Sequence, residues 1–140
     1  MSEAPERIDD DMVIREFRAG RIGGGDSPFG LLLLSTVGAR TGQPRMTPLG
    51  CVREDGRILL WATNYGLTRH PGWYHNLKAN PQVTVELPTG LQEMTAEEIT
   101  DPDEYAAAWA RITELNPAVR DYLATAERTI PIIALTARQS

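Results

Sequence analysis

A chain of 140 residues with a formal charge of −5 is one domain in size, long enough to bury a real core and too acidic overall for non-specific nucleic-acid binding. Its single cysteine, Cys51, excludes an internal disulfide framework and fits a reducing compartment. No apolar run approaches the ~20 residues of a spanning helix, and the acidic, polar start is unlike a signal peptide, so a cytoplasmic protein with at most peripheral membrane contact is expected.

In chain order, residues 1–8 read as a disordered tail and 9–140 as one domain. Asp9, Asp10 and Asp11 offer N-caps for a short helix through Val13, Ile14 and Phe17 that Gly20 ends. Residues 31–37 are apolar on both faces and predict a buried central strand. The segment 46–54 alternates, and Glu54-Asp55-Gly56 turns it into a second strand over 57–63. Strands over 82–87 and 91–99 make another hairpin across Pro88-Thr89-Gly90. Asp101-Pro102 opens a helix carrying Tyr105, Trp109, Ile112 and Leu115 on one stripe. Asn116-Pro117 restarts a helix, and 129–136 is a closing apolar strand. Two hairpins, a buried strand and a closing strand with helices inserted late imply a small antiparallel barrel, mainly β with flanking helices. Cys51 falls within the alternation of its strand and reads as a small core residue.

Charge is unevenly placed. Between Thr36 and Pro81 stand Arg40, Arg45, Arg53, Arg57, Arg69 and Lys78 against only Glu54 and Asp55, a local +4, while the remainder carries −9. Cations gathered on an acidic chain point to an anionic ligand. Arg40 and Arg45 flank a turn in which Gly38 and Gly42 let backbone amides come close to an anion, and guanidinium groups suit phosphate and carboxylate through paired hydrogen bonds. Two solvated arginines in a hairpin are the alternative. His70 and His75, five residues apart and without a Cys or carboxylate cluster, do not form a metal motif. There is no nucleophile elbow, phosphate loop or zinc-helix motif, and the glycines at 20–25 precede the main strand rather than follow one.

The motifs Leu31-Leu32-Leu33-Leu34 followed by Thr36-Val37-Gly38-Ala39-Arg40-Thr41-Gly42, then Arg45-Met46-Thr47-Pro48-Leu49 and His70-Pro71-Gly72-Trp73-Tyr74-His75-Asn76-Leu77, carry a family resemblance over roughly residues 12–137. The chain resembles the deazaflavin-dependent oxidoreductases of the nitroreductase-like group, which use coenzyme F420 on a split β-barrel of the flavin-reductase, FMN-binding type. The resemblance implies that Arg40, Arg45 and Thr47 hold the phosphate and polyglutamate end of the coenzyme, with Pro48 fixing the backbone beside them. It implies that the loop from Ala62 through Thr63, Asn64 and Tyr65 lies against the deazaflavin ring; Asn64 and Tyr65 depart from a lysine and a glycine common there. Arg69 would be a second phosphate contact, and Trp73 and Asn76 would share a helical face along the coenzyme groove, against a core role for Trp73 and a cap role for Asn76.

Hydride chemistry belongs to such a cofactor, so no dedicated acid or base is expected from the protein. Of the late-helix tyrosines that shape the substrate pocket in relatives, only Tyr122 has a counterpart, Asn116 and Val119 standing at the other positions. This argues against efficient nitroimidazole or menaquinone reduction, and Tyr122 is the candidate substrate-pocket donor beside a purely structural role. Three functions follow: reduction of a small-molecule acceptor (quinone, enone or nitroaromatic) by the reduced deazaflavin; an FMN-dependent flavin-reductase-like activity, disfavoured because FMN has no polyglutamate to occupy the extra arginines; or non-catalytic binding of the coenzyme. A monomer or weak homodimer is expected.

Overall fold

The computed structural model describes residues 10–22, 29–54, 56–62, 70–121 and 129–138. Helix α1, Asp10–Arg18, has acids in its first turn and arginines in its last, complementing its dipole, and gives way to Gly20 at φ 78°. The six strands are β1 (Phe29–Val37), β2 (Pro44–Glu54), β3 (Arg57–Trp61), β4 (Gln82–Leu87), β5 (Gly90–Glu98) and β6 (Ile132–Ala137). Helix α2, Gly72–Ala79, lies between β3 and β4, and helix α3, Pro102–Leu115, between β5 and β6. Asp101 caps α3 by accepting from the Glu104 N–H at 2.9 Å, with Pro102 at the first helical position, as the sequence predicts.

The strands close into an antiparallel barrel in the order β1-β2-β3-β6-β5-β4. Alternation along each strand divides the apolar residues into two layers. The inner layer draws Leu32 and Leu34 from β1, Cys51 from β2, Leu60 from β3, Val85 from β4, Met94 from β5 and Leu135 from β6, and Trp73 and Leu77 of α2 join it. The outer layer sets Val52, Leu59 and Ile132 against Ala108, Trp109 and Ile112 of α3. The Tyr105 hydroxyl fastens α3 to the start of β6 by donating to the Ile130 carbonyl at 2.6 Å. On β1 both faces are covered, Leu32, Leu33 and Leu34 all being fully buried. Leu33 stands opposite Glu86, which receives Arg18 of α1 at 2.8 Å, so α1 lies over this outer face. Cys51 is a core residue whose thiol burial pushes up to about 11, partly opposed by Arg53, leaving it unreactive.

One feature of the ladder positions the site. β2 pairs with β1 over nine residues, from Phe29–Val52 to Val37–Pro44, but with β3 only from Val52–Leu59 to Glu54–Arg57. Beyond Val52 the two neighbours part and the barrel is split.

Small differences from the sequence reading have local causes. The closing strand begins at Ile132 rather than at residue 129, because Pro131 has no N–H to give the ladder and its carbonyl instead accepts from Ala62. The β4–β5 hairpin is tighter than expected, Leu87 pairing directly with Gly90 at φ 136°. After Asn116-Pro117, residues 119–121 are helical; the rest of that segment, residue 63 of the predicted third strand and the tail at 1–8 lie outside the described residues. Among the described residues no helix is long and apolar enough to cross a membrane.

Leu34→Ala empties space in the inner layer and is expected to lower unfolding free energy by about 2–5 kcal/mol. Leu91→Ala, at a position 71% exposed, is expected to stay within about 0.5 kcal/mol. Urea unfolding of the two variants checks the assignment of the core.

Candidate functional site

A cleft of about 970 Å³ opens where β2 leaves β3, within the range of small-molecule sites. The β1–β2 turn gives it Arg40, β2 gives Arg45 to Gly50, β3 gives Trp61, and the start of α2 gives Trp73, His75 and Asn76. Asp10 of α1 reaches its rim.

The turn is held by its own backbone. Gly38 N–H donates to Gln43 O at 2.8 Å, Gly42 N–H donates to Gly38 O at 2.9 Å, and Thr41 Oγ1 accepts from Gln43 N–H at 3.1 Å. Gly42 sits at φ 71°, and a Cβ on Gly38 would come within 2.6 Å of Thr41 Oγ1, so both glycines answer to the turn's geometry. Their own N–H groups are engaged inside the turn.

Asn76 joins the turn to α2. Its Oδ1 accepts from Ala39 N–H at 2.9 Å and its Nδ2 donates to Thr36 Oγ1 at 3.1 Å. Ala39 precedes Arg40, and Thr36 is the cross-strand partner of Arg45, so one side chain fixes the backbone beside both arginines. It is a brace rather than a helix cap. α2 is anchored in turn from β5: Tyr74 Oη and Lys78 Nζ both donate to Glu98 Oε1, at 2.8 and 2.9 Å. Burial alone would raise the Glu98 carboxyl, but Lys78 and Tyr74, with a weaker contribution from His70, hold it below the usual carboxylate range. Burial, with Glu98, pushes the Tyr74 phenol up to about 12.

Of the cations concentrated in this segment, the fold removes some from contention. Arg57 is bound to Glu54 at 2.6 Å and Glu104 at 2.8 Å, and Lys78 to Glu98. Arg40 and Arg45, both exposed, form no ion pair among the described residues. Among the described residues, Arg40 and Arg45 are the arginines that line the cleft.

The structure thus brings together Arg40, Arg45, Thr47, Pro48, Trp73 and Asn76 around one cleft. Trp73 answers both readings of it, lining the cleft while only 8% exposed in the core. Ala62 is not in the lining: it is fully buried in the inner layer and its N–H donates to Pro131 O at 3.1 Å. Thr63, Asn64, Tyr65, Arg69 and Tyr122 lie outside the described residues. Asn116 ends α3, and Val119 is buried in the outer layer. Sequence reasoning missed Met46, Gly50, Trp61 and Asp10 as lining. It also missed that His70 and His75, five apart in sequence, stand 5.9 Å apart between ring centroids, each also against Tyr74.

Removing the Asn76 amide leaves the Ala39 N–H and the buried Thr36 hydroxyl without these partners. Asn76→Ala is expected to cost about 1–3 kcal/mol of stability, read from the shift of the urea midpoint at unchanged slope.

Comparison with known proteins supplies a second line of observation. The family model described as F420H(2)-dependent quinone reductase matches residues 7–137. The F420H(2)-dependent quinone reductase Rv1261c of Mycobacterium tuberculosis is 42% identical over 110 residues, covering 76% of this chain and 73% of the relative. Among solved structures, one described as an F420-H2 dependent reductase (FDR-A) superposes with a TM-score of 0.68 at 32% identity, over 80% of this chain and 99% of that one. Another, described as a domain-swapped dimer, gives 0.70 at 30% identity, over 89% and 94%.

Proposed function

The chain belongs to the F420H(2)-dependent quinone reductase family, and from that premise we propose that it binds coenzyme F420 in the split-barrel cleft and reduces a small electrophilic acceptor of the quinone, enone or nitroaromatic class. The observation that carries this is the pair of arginines that form no ion pair among the described residues, lining with Thr47 a 970 Å³ cleft whose walls include two tryptophans. That donor set fits the coenzyme: guanidinium groups for its phosphate and glutamates, and a flat-walled cleft for its ring.

When bound in its reduced form, the coenzyme supplies the hydride. The protein's residues then bind, orient and exclude water. Arg40, Arg45 and Thr47 take the anionic end. Pro48 stiffens the strand beside it, and Asn76 keeps the turn and strand in register. Trp61 and Trp73 give the ring region flat apolar walls. Ala62 shapes the barrel where β3 runs out towards Thr63, Asn64 and Tyr65, whose hydroxyls and amides are assigned to the heteroatoms of the ring; Arg69 is assigned a second phosphate contact. Tyr122 is assigned to the acceptor, where a phenol donates to an oxygen as negative charge develops on it. Likeness to a domain-swapped dimer leaves the assignment of a monomer or weak homodimer to sedimentation at micromolar concentration. A cytoplasmic location accords with the composition.

Two variants test the assignments. Arg45→Ala is expected to weaken F420 binding by about 1.5–3 kcal/mol in a calorimetric titration, and Arg40→Ala by less, because a solvated glutamate tail is screened. Unchanged affinity in both removes this turn as the anion site. For Tyr122→Phe, stopped-flow oxidation of the bound reduced coenzyme by quinone or nitro acceptors is expected to slow while coenzyme affinity holds; equal rates across several acceptors leave Tyr122 a packing role.

A further inference from the structure

Helix α2 is eight residues long, and its N-cap, Pro71, has no side-chain group to cap it with. A helix so short has little stability of its own, so tertiary contacts set its place on the barrel. Its C-terminal end is fixed by the chain. Asn80 and Pro81 join it to β4, and the Pro81 carbonyl accepts from the Ala96 N–H of β5 at 2.9 Å. The body of the helix needs other anchors.

Three sets of contacts supply them, and helical spacing sorts these by side. Trp73 and Leu77, four apart, form the buried stripe that joins the inner layer. Such a stripe resists lifting, but a single line of contact does little against rotation of the helix about its axis. Tyr74 and Lys78, also four apart, stand on one flank of the stripe, where both donate to Glu98 Oε1, at 2.8 and 2.9 Å. Asn76 stands on the other flank and holds Thr36 Oγ1 at 3.1 Å and the Ala39 N–H at 2.9 Å. In the barrel order β4 lies between β5 and β1. The helix therefore bridges the two strands that border β4, gripped from β5 by Glu98 and tied to β1 by Asn76. A roll that opens one flank displaces the other.

Glu98 suits the grip. One carboxylate oxygen receives both donors, and the side chain is only 22% exposed. Among the described residues it does not line the cleft, so its influence on a ligand there travels through α2.

We propose that Glu98 is a positioning residue for the arginine turn: by fixing the roll of α2 it sets Asn76, and Asn76 holds the backbone beside Arg40 and Arg45. The inference deepens the coenzyme reading. It rests on that reading for the identity of the ligand, and on geometry alone for the coupling between Glu98 and the turn.

The test uses the full chain with Glu98→Ala, Glu98→Gln, Asn76→Ala and the double variant Glu98→Ala/Asn76→Ala. Amide hydrogen exchange of Ala39, followed by NMR without ligand, reads the Asn76 bond directly. It is expected to be about tenfold faster in Glu98→Ala. In Glu98→Gln, which keeps an acceptor for the Tyr74 hydroxyl, it is expected to stay near the parent rate. The paired amides of β1 are expected to exchange as in the parent; their acceleration by the same factor marks a general loss of stability and overturns the inference. In fluorescence titration Glu98→Ala is expected to weaken F420 by about fivefold, with no further effect in the Asn76→Ala background, because the two residues act in series. An unchanged Ala39 rate or an unchanged F420 affinity in Glu98→Ala overturns the inference, and so does an equal loss of affinity in both backgrounds. A parent that does not bind F420 overturns the coenzyme reading instead, and the Ala39 exchange then decides the inference by itself.

Discussion

Everything at this site depends on where β2 parts from β3. A six-stranded barrel of this size is filled by its own side chains, and here Leu32, Leu60, Val85 and Leu135 are fully buried in the interior. The cleft lies where the wall opens. The opening begins after the Val52–Leu59 pair, and β1 pairs with β2 from Pro44 to Val52, so the strand stays extended where β3 no longer pairs with it among the described residues. The result is a wall held in place by β1.

Rigidity at the mouth of the cleft comes from side chains distant in sequence. Asn76 holds Thr36 and Ala39, and the Tyr74–Glu98–Lys78 cluster holds α2 to β5. Arginines on an unsupported hairpin would lose much side-chain and backbone entropy on meeting an anion; a braced turn has lost part of it in folding. The same logic explains why Arg57 and Lys78 are not available to a ligand. Their partners Glu54, Glu104 and Glu98 secure the hairpin and the helix instead.

Much of this was legible in the sequence because it is local. The alternation through Leu49 and Cys51, the Glu54-Asp55-Gly56 turn and the Asp101-Pro102 helix start each state their structure within a few residues. The double-faced burial of β1 was readable from its leucine run. The pairing of β3 with β6, across some seventy residues, left no local signal. Nor did the brace: Asn76 finds its partners 37 and 40 residues away, so helical periodicity could place it beside Trp73 but not say what it held. Gly38 and Gly42 were correctly seen as needed for a tight turn, yet the destination of their amides is a matter of closure that only the folded hairpin decides. Ala62 sits inside the barrel because the strand alternation of Ile58 and Leu60 carries through to it, a continuation the loop-like sequence after it concealed.

The central claim is that a split barrel whose cleft is lined by two arginines that form no ion pair among the described residues is built for a deazaflavin carrying an anionic tail, rather than for any flavin. Fluorescence quenching of the purified apoprotein by F420 and by FMN, side by side, tests it most directly. The account requires F420 to bind clearly more tightly than FMN, because FMN offers a flat ring and a phosphate but no glutamates. Equal affinities, or a preference for FMN, would contradict it.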